Sequence, residues 1–431
     1  MKDYYLERES RLPVKARYDV LVAGSGPAGF AAAVTAARAG AKTLIVEQGG
    51  CIGGISTAGL MSHWTGDVDS SLYREVLARC RDAAGQPFSG DDESRVYIDT
   101  ERLKLVMLEM LLDAGAEILF YTFLCDAVTE EGRVTGVTAV NKGGRFCLAA
   151  DVIIDATGDG DVACRAGVAY HVGREQDGKM QPATVMFKVG GVDKDRAVLL
   201  GSFESRYQTE RGELQALAKK LLPHPAGHVL LYPNPLPGIV TVNMTNCVQI
   251  DGTRAEDLTR AEITCRRQIY AIEAFLREYV PGFENCFVVT SASLVGVRET
   301  RHFVGMQTLT EEDISSARQF PDWVVRGAYF NFDVHGLDEA GLDATGKQKS
   351  FEQTRGYTIP YGCLVPEKLR GLLLAGRNIS GTHMAHSNYR AMPICLATGE
   401  AAGAAAALSV RTGVSPELLR AEDIRRIYAN D

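Results

Sequence analysis

The chain has 431 residues, 46% of them hydrophobic and 23% charged, and a formal net charge of −8 at pH 7. That length predicts more than one domain, and the acidic balance excludes nucleic acid or an anionic membrane surface as a general partner. The 10 cysteines include no CxxC spacing, which removes zinc-ribbon, iron–sulfur and thioredoxin-type chemistry. The chain starts without a charged-then-apolar leader, so reduced thiols in a cytoplasm are expected. No membrane span is expected either, because Glu400 and Gly403 interrupt the Ala-rich run 399–408.

Residues 1–17 are a polar lead-in. The segment Asp19-Val-Leu-Val-Ala-Gly-Ser-Gly-Pro-Ala-Gly-Phe30 then reads as a buried parallel strand running into a glycine turn and a helix. Gly24 permits the tight turn, Gly26 lets backbone approach a diphosphate, and Gly29 lets the helix pack closely on the strand. The unpaired N–H groups of the first helical turn, around Pro27 and Ala28, point at that anion. A second strand, Thr43 to Val46, ends on Glu47, placed to take ribose hydroxyls and ill suited to a 2′-phosphate.

Residues 48–66 are rich in Gly and small residues and read as a loop held against something flat. Helical spacing marks 70–85 and 100–114. A β-meander is expected from Ile118–Phe123, Ala127–Thr129 and Val134–Val140, followed by a buried strand at 151–158. The α/β rhythm is lost over 176–355, with strands at Ala183–Val189 and Val240–Met244, a helix over Ala255–Tyr279, and Pro-rich loops. Strand-plus-turn character returns at Leu372–Asn378, and a helix runs from about Pro393 to Thr412.

Four separated segments agree with one family: Gly24-Ser-Gly-Pro-Ala-Gly with Glu47, Asp155-Ala-Thr-Gly-Asp159, Val297-Arg-Glu-Thr-Arg-His302, and Gly376-Arg-Asn with Gly399-Glu-Ala-Ala-Gly403. Together they resemble the FAD-dependent oxidoreductases of the glutathione-reductase-like superfamily, near the succinate dehydrogenase and fumarate reductase flavoproteins. The resemblance implies an α/β fold: a Rossmann-like FAD-binding domain with a central parallel sheet and β-meander, plus an inserted α+β substrate domain. The expected boundaries are 18–175 and 356–431 for the FAD domain and 176–355 for the insertion. It implies non-covalent FAD on Gly24, Gly26, Pro27, Ala28 and Gly29 (diphosphate), Glu47 and Gln48 (ribose), and Gly53, Gly54, Ser56 and Thr57 (ribityl and flavin). Thr157, Gly158 and Asp161 fall on the adenosine half, Gly376, Arg377 and Asn378 on the diphosphate and ribityl chain, and Ala391 and Met392 at the flavin-facing helix. Relatives carry an acid where Arg377 stands, so that contact departs from the family pattern. Cys51 passes the flavin ring in this alignment and reads as a buried thiol or an attachment point.

Flavin chemistry needs groups that orient substrate and move a proton. Those candidates are Arg298, for a substrate carboxylate or the flavin, and His383 and His386, as bases in a short loop before the last long helix. Arg390 and Tyr389 can replace either histidine, Arg301 reads equally as a salt-bridge partner, and Ser62-His63-Trp64 is a weaker third segment. The two histidines show no third ligand in the sequence, so no metal is expected. With no second dinucleotide motif, electrons come from a small-molecule substrate, another protein or a docked cofactor. The expected reaction is hydride transfer between flavin N5 and a small polar substrate: a hydroxy acid, sugar derivative or amine. Reduction of an activated C=C bond, monooxygenation and a non-catalytic electron relay are the alternatives. A homo-oligomer is possible on these features.

Overall fold

The computed structural model describes residues 11–81, 95–346 and 355–428. Its main sheet is built on β1 (Val14–Ala23), whose inner half Val20–Ala23 is fully buried. β1 runs into α1 (Pro27–Arg38) and then β2 (Thr43–Val46). Two helices, α2 (Ser71–Cys80) and α3 (Thr100–Asp113), precede β3 (Glu117–Leu119). Ser70 and Asp99 cap those helices with their side chains. The sequence reading carries the first helix to residue 85; residues 82–85 lie outside the described residues.

The meander is β4 (Phe123–Glu130), β5 (Arg133–Asn141) and β6 (Gly144–Asp155). This corrects the expected strands. Glu117–Leu119 pairs in parallel with β2, and Tyr121, at φ +53°, separates it from Phe123. The run Ile118–Phe123 is therefore two strands joined by a left-handed residue, and the third meander strand is β6. β6 has two roles. Gly144–Ala149 pairs antiparallel with β5, while Val152–Asp155 pairs in parallel with the inner half of β1. The seven-stranded order is β3-β2-β1-β6-β5-β4, and a late strand, here β11 (Leu372–Leu374), pairs with β6 at Ile153–Asp155.

Between these segments lies a four-stranded antiparallel sheet of β7 (Phe187–Gly190), β8 (Leu231–Pro233), β9 (Val240–Val242) and β10 (Phe287–Ser291), in the order β8-β9-β7-β10. α4 (Ala255–Tyr279) covers it, and Ile269, Ile272, Phe275 and Leu276 join Phe187, Val189, Val240 and Val242 in one core. β7 reaches the start of α3 through a buried hydrogen bond, Lys188 Nζ donating to Thr100 Oγ1 at 2.7 Å.

After β11 come α5 (His383–Tyr389), α6 (Met392–Thr412) and α7 (Ala421–Tyr428). α6 lies directly on α1. A Cβ at Gly399 would overlap the carbonyl oxygen of Ala28, and one at Gly403 that of Ala32. α6 is long and apolar enough to cross a membrane, contrary to the sequence expectation, but 94% of its apolar window is buried inside the fold. Its Glu400 accepts a hydrogen bond from Ser70 Oγ at 2.7 Å at the start of α2. Burial pushes that carboxyl up to about 7.

Two consequences can be measured. Gly403→Val places a branched side chain against backbone that cannot retreat, and should cost about 2–3 kcal/mol in denaturant unfolding. Glu400 binds its proton more tightly folded than unfolded. Its contribution is therefore complete at pH values below the ordinary carboxylate range and is lost as pH rises toward 7, by up to about 3 kcal/mol. Glu400→Gln should flatten that part of the stability–pH curve, and an unchanged slope would show that the carboxyl titrates normally.

Candidate functional site

Three turns converge at the carboxyl ends of β1, β6 and β11. At the first, Gly24 holds φ +86°, and a Cβ there would lie 2.6 Å from Ala156 O. A Cβ on Gly29 would overlap Gly24 O. Gly26 differs from both: a Cβ there meets no chain atom within 4 Å. As N-cap of α1 it supplies no side-chain cap, and Pro27 follows in the first turn, so the leading N–H groups face open space. Gly53 and Gly54 take φ +106° and +51°, and Gly54 folds over Gly26. Ser56 and Thr57 spend their hydroxyls on Gly53 O and Ile52 O, both at 2.6 Å, and so hold this loop in shape. Glu47 accepts from Ser25 N and Oγ at 3.0 and 2.6 Å and from Gly49 N at 2.6 Å, with Gln48 exposed beside it. Each oxygen keeps lone-pair capacity for a further donor. Cys51 in this loop is a half-buried free thiol.

At the second turn, Asp155 is fully buried and accepts from Thr157 N and Oγ1 and from Ala163 N. Burial pushes its carboxyl up to about 6 against those bonds. Asp159 anchors the outer side, accepting from Arg377 Nη2 and Thr300 Oγ1, each at 2.6 Å. Arg301 closes the same turn on Asp159 O and Asp161 Oδ1 at 2.9 and 3.0 Å. Its ion-pair partner is Asp161. At the third turn, Gly376 holds φ +91° and donates to Thr398 Oγ1, and Arg377 lies against Gly158. Asn378 donates to Asp155 O at 3.0 Å, while its buried Oδ1 has no partner among the described residues.

Beyond the third turn, His383 and His386 sit on α5, not in a loop; Thr382 caps the helix through its side chain. Glu299, unselected by sequence, organises this region. Its Oε1 accepts from His383 Nδ1 at 2.6 Å and His302 Nε2 at 2.9 Å, and its Oε2 from Gln181 N at 3.1 Å. Burial alone would raise this carboxyl, but the bonds from His302 and His383 hold it well below the usual range. His386 packs edge-on against His302 at 4.8 Å, and burial pushes its pKa well below the ordinary histidine value. A set other than the His383–His386 pair considered from the sequence comes together in space: donor atoms of Glu299, His302 and His386 lie within 4.8 Å of one another.

A second polar cluster adjoins the first. Arg390 donates from Nη2 to Asp333 Oδ2 at 2.8 Å and to Asp333 O at 2.7 Å, and His335 Nε2 lies 3.3 Å from the same Oδ2. Arg298 is buried and donates to Pro182 O at 2.6 Å. Burial, then the neighbouring Arg390, pushes Arg298 down to about 10. Burial and Arg298 push His335 down to about 4, whereas Asp333 is held low by His335 and the two guanidiniums despite its burial. Ala391 and Met392 open α6 behind Arg390, again with no side-chain cap and a Pro in the first turn. His63 is buried and stacks on Tyr232 with ring centroids 3.9 Å apart. Gln181, Asp333 and His335 have no recognisable motif around them, so the sequence offered no signal for them.

A glycine turn after the first strand, a neighbouring Asp-Ala-Thr-Gly turn and a late strand returning beside them define a flavoprotein of the dinucleotide-binding type. The chain belongs to the FAD dependent oxidoreductase family, whose pattern it matches over residues 19–427. The open approach at Gly26 and the orphaned Asn378 Oδ1 fit the FAD of that family. It is similar to thiamine thiazole synthase of Aeropyrum pernix, 34% identical over 172 residues, which is 36% of this chain and 60% of that protein. It is also similar to digeranylgeranylglycerophospholipid reductase 1 of Methanococcoides burtonii, 27% identical over 207 residues, or 43% of this chain and 47% of that one. The chain thus spans about half to 60% of the length of these relatives. The p-nitrophenol 4-monooxygenase PnpA of Pseudomonas putida DLL-E4 shares the fold at TM-score 0.52 and 12% identity, with 96% of this chain and 86% of that chain covered.

Gly26→Val separates folding from cofactor binding, since its side chain meets cofactor space and not protein. The variant should unfold like the parent and purify colourless. A yellow variant with full FAD would remove Gly26 from the cofactor site.

Proposed function

We propose that this flavoenzyme oxidises a small carboxylate-bearing alcohol or amine, of the 2-hydroxy-acid class, at the junction of the two buried clusters. The supporting observation is charge: Arg298, buried, and Arg390, half-buried, are two guanidiniums beside one carboxylate, Asp333. A substrate carboxylate would offset the surplus and meet Arg390 Nε and Gln181 Nε2, which have no partner among the described residues. FAD, when bound, supplies the two-electron acceptor for the substrate carbon.

In this reading Arg298 and Arg390 hold the carboxylate. His383 takes the proton of the substrate hydroxyl or ammonium at Nε2, because Glu299 fixes its proton on Nδ1. His386, kept neutral by burial, supports that wall of the site. Cofactor contacts are assigned to Gly24, Gly26, Pro27, Ala28 and Gly29, to Glu47 and Gln48, to Gly53, Gly54, Ser56 and Thr57, and to Thr157, Gly158 and Asp161. Gly376, Arg377, Asn378, Ala391 and Met392 complete them. The unsatisfied N–H groups at the start of α6 support a role in stabilising negative charge on the ring system. Ten unpaired thiols support a reducing cytoplasm.

One observation favours a second reading, reduction of an activated C=C bond. Arg298, pushed down to about 10, is a better proton donor than an ordinary guanidinium.

Anaerobic mixing tests both. On the first reading, 2-hydroxy acids bleach the flavin and neutral sugars or alcohols do not. Arg298→Met then weakens acid binding roughly 10- to 100-fold, in line with loss of a charged hydrogen bond. His383→Gln slows bleaching by about 10²- to 10⁴-fold with FAD retained. Bleaching by neutral substrates alone overturns the carboxylate reading. Reoxidation of chemically reduced protein by fumarate-like acids supports the second. Silence toward every small molecule leaves an electron relay.

A further inference from the structure

We propose that Glu299, His302 and His386 form a binding site for one divalent first-row transition ion, with zinc as the probe. The three residues come from two separate segments, the strand region 298–303 and α5, and all are buried. Their donor atoms lie within 4.8 Å of one another. A single carboxylate with two imidazoles is a hard-and-borderline donor set that suits zinc, iron or manganese and not calcium or magnesium.

The second observation is the number of buried ring nitrogens left over. Because a carboxylate oxygen only accepts, His302 carries a proton on Nε2 and His383 one on Nδ1. His302 Nδ1, His386 Nδ1 and His383 Nε2 are then all buried with no partner among the described residues. Three orphaned imidazole nitrogens around one ionised carboxylate is a concentration of unsatisfied polarity that folded proteins avoid without a ligand. A cation held by Glu299, His302 and His386 answers the buried negative charge and the orphaned nitrogens of the two ligand rings, while His383 Nε2 stays outside the set.

Zinc–nitrogen and zinc–oxygen bonds of about 2.0–2.2 Å bring neighbouring ligand atoms to within roughly 3.5 Å. The present spread closes by rotation of an imidazole ring. Where His302 ligates through Nε2, the proton of that atom moves to the free Nδ1 of the same ring, so the imidazole stays neutral and no electron changes hands. His383 remains hydrogen-bonded to Glu299 as the outer partner that orients the carboxylate. Three protein ligands leave a fourth position open, the arrangement of a catalytic rather than a structural metal. The site shares Glu299 and His386 with the substrate reading but not the Arg298–Arg390 pair, and its readout is bound metal rather than flavin bleaching, so the failure of one is distinguishable from the failure of the other.

The test uses the FAD-loaded full chain, treated with chelator, incubated with zinc, desalted and analysed for metal by mass spectrometry. The expected result is one zinc per chain. It should be lost in both His302→Gln and His386→Gln while FAD content and circular dichroism stay unchanged. His383→Gln should weaken zinc about 10- to 100-fold through the lost outer bond. Anomalous diffraction at the zinc edge on the unsubstituted protein should place the ion among the three side chains, which decides the matter even where a variant misfolds. Substoichiometric zinc, zinc retained in both variants, or an anomalous peak elsewhere overturns the proposal and leaves a hydrogen-bonded Glu–His network only.

Discussion

The close contact of α1 with α6 is the constraint on which the rest depends. Backbone carbonyls of Ala28 and Ala32 stand where Cβ atoms of Gly399 and Gly403 would be, so the two helices meet at backbone distance. The contact ties the last 40 residues to the first turn of the fold. α6 begins immediately after Arg390, and α5 immediately before it. Fixing α6 against α1 therefore fixes Arg390, His386 and His383 relative to the glycine turn at 24–29. Glu400, buried on the same helix, adds a polar tie to the start of α2. A one-carbon change at Gly399 or Gly403 would act on chemistry far along the helix, because close-packed interiors transmit displacement rather than absorb it.

How legible each half was follows from the range of the interactions involved. The cofactor half is local. Steric rules at Gly24 and Gly29 act within a few residues, and the apolar run 20–23 declares a strand buried on both faces. The meander misreading arose at Tyr121, where one positive-φ residue splits a continuous apolar run and only pairing with β2 reveals it. The α5 histidines read as a loop because the helix has only seven residues; its one local signal was Thr382 at the N-cap. The substrate half is non-local. Glu299 stood in the quoted Arg-Glu-Thr-Arg segment, yet nothing in the sequence says that it turns inward to meet a histidine 84 positions away. Asp333 and His335 meet Arg390 across a similar gap, with no periodicity to announce it.

The two polar clusters explain how charges survive burial here. Glu299 stays ionised because two ring N–H groups and the Gln181 amide reach it, and Asp333 because Arg390 and His335 do. Among the described residues Arg298 has no carboxylate within salt-bridge range, only the Pro182 carbonyl, and its burial shows as a lowered pKa. Its placement beside Arg390 is unfavourable for stability alone. Strain of this kind persists where the surrounding structure over-determines it and a ligand relieves it.

Gln181 joins the two clusters. Its backbone N–H holds Glu299 Oε2, and its side-chain oxygen accepts from His335 N at 3.1 Å and lies 3.4 Å from Arg390 Nη2. One residue thus touches both Glu299, which bonds His383, and Arg390, one of the two guanidiniums of the proposed carboxylate site. A substrate that draws Arg390 or Gln181 toward itself must shift the hydrogen bond on Glu299, and through it the orientation of His383. On the proposed reading, binding at one cluster and proton transfer at the other would be linked over a single side chain. That linkage would give a physical reason for an anion site and a histidine network side by side under one helix.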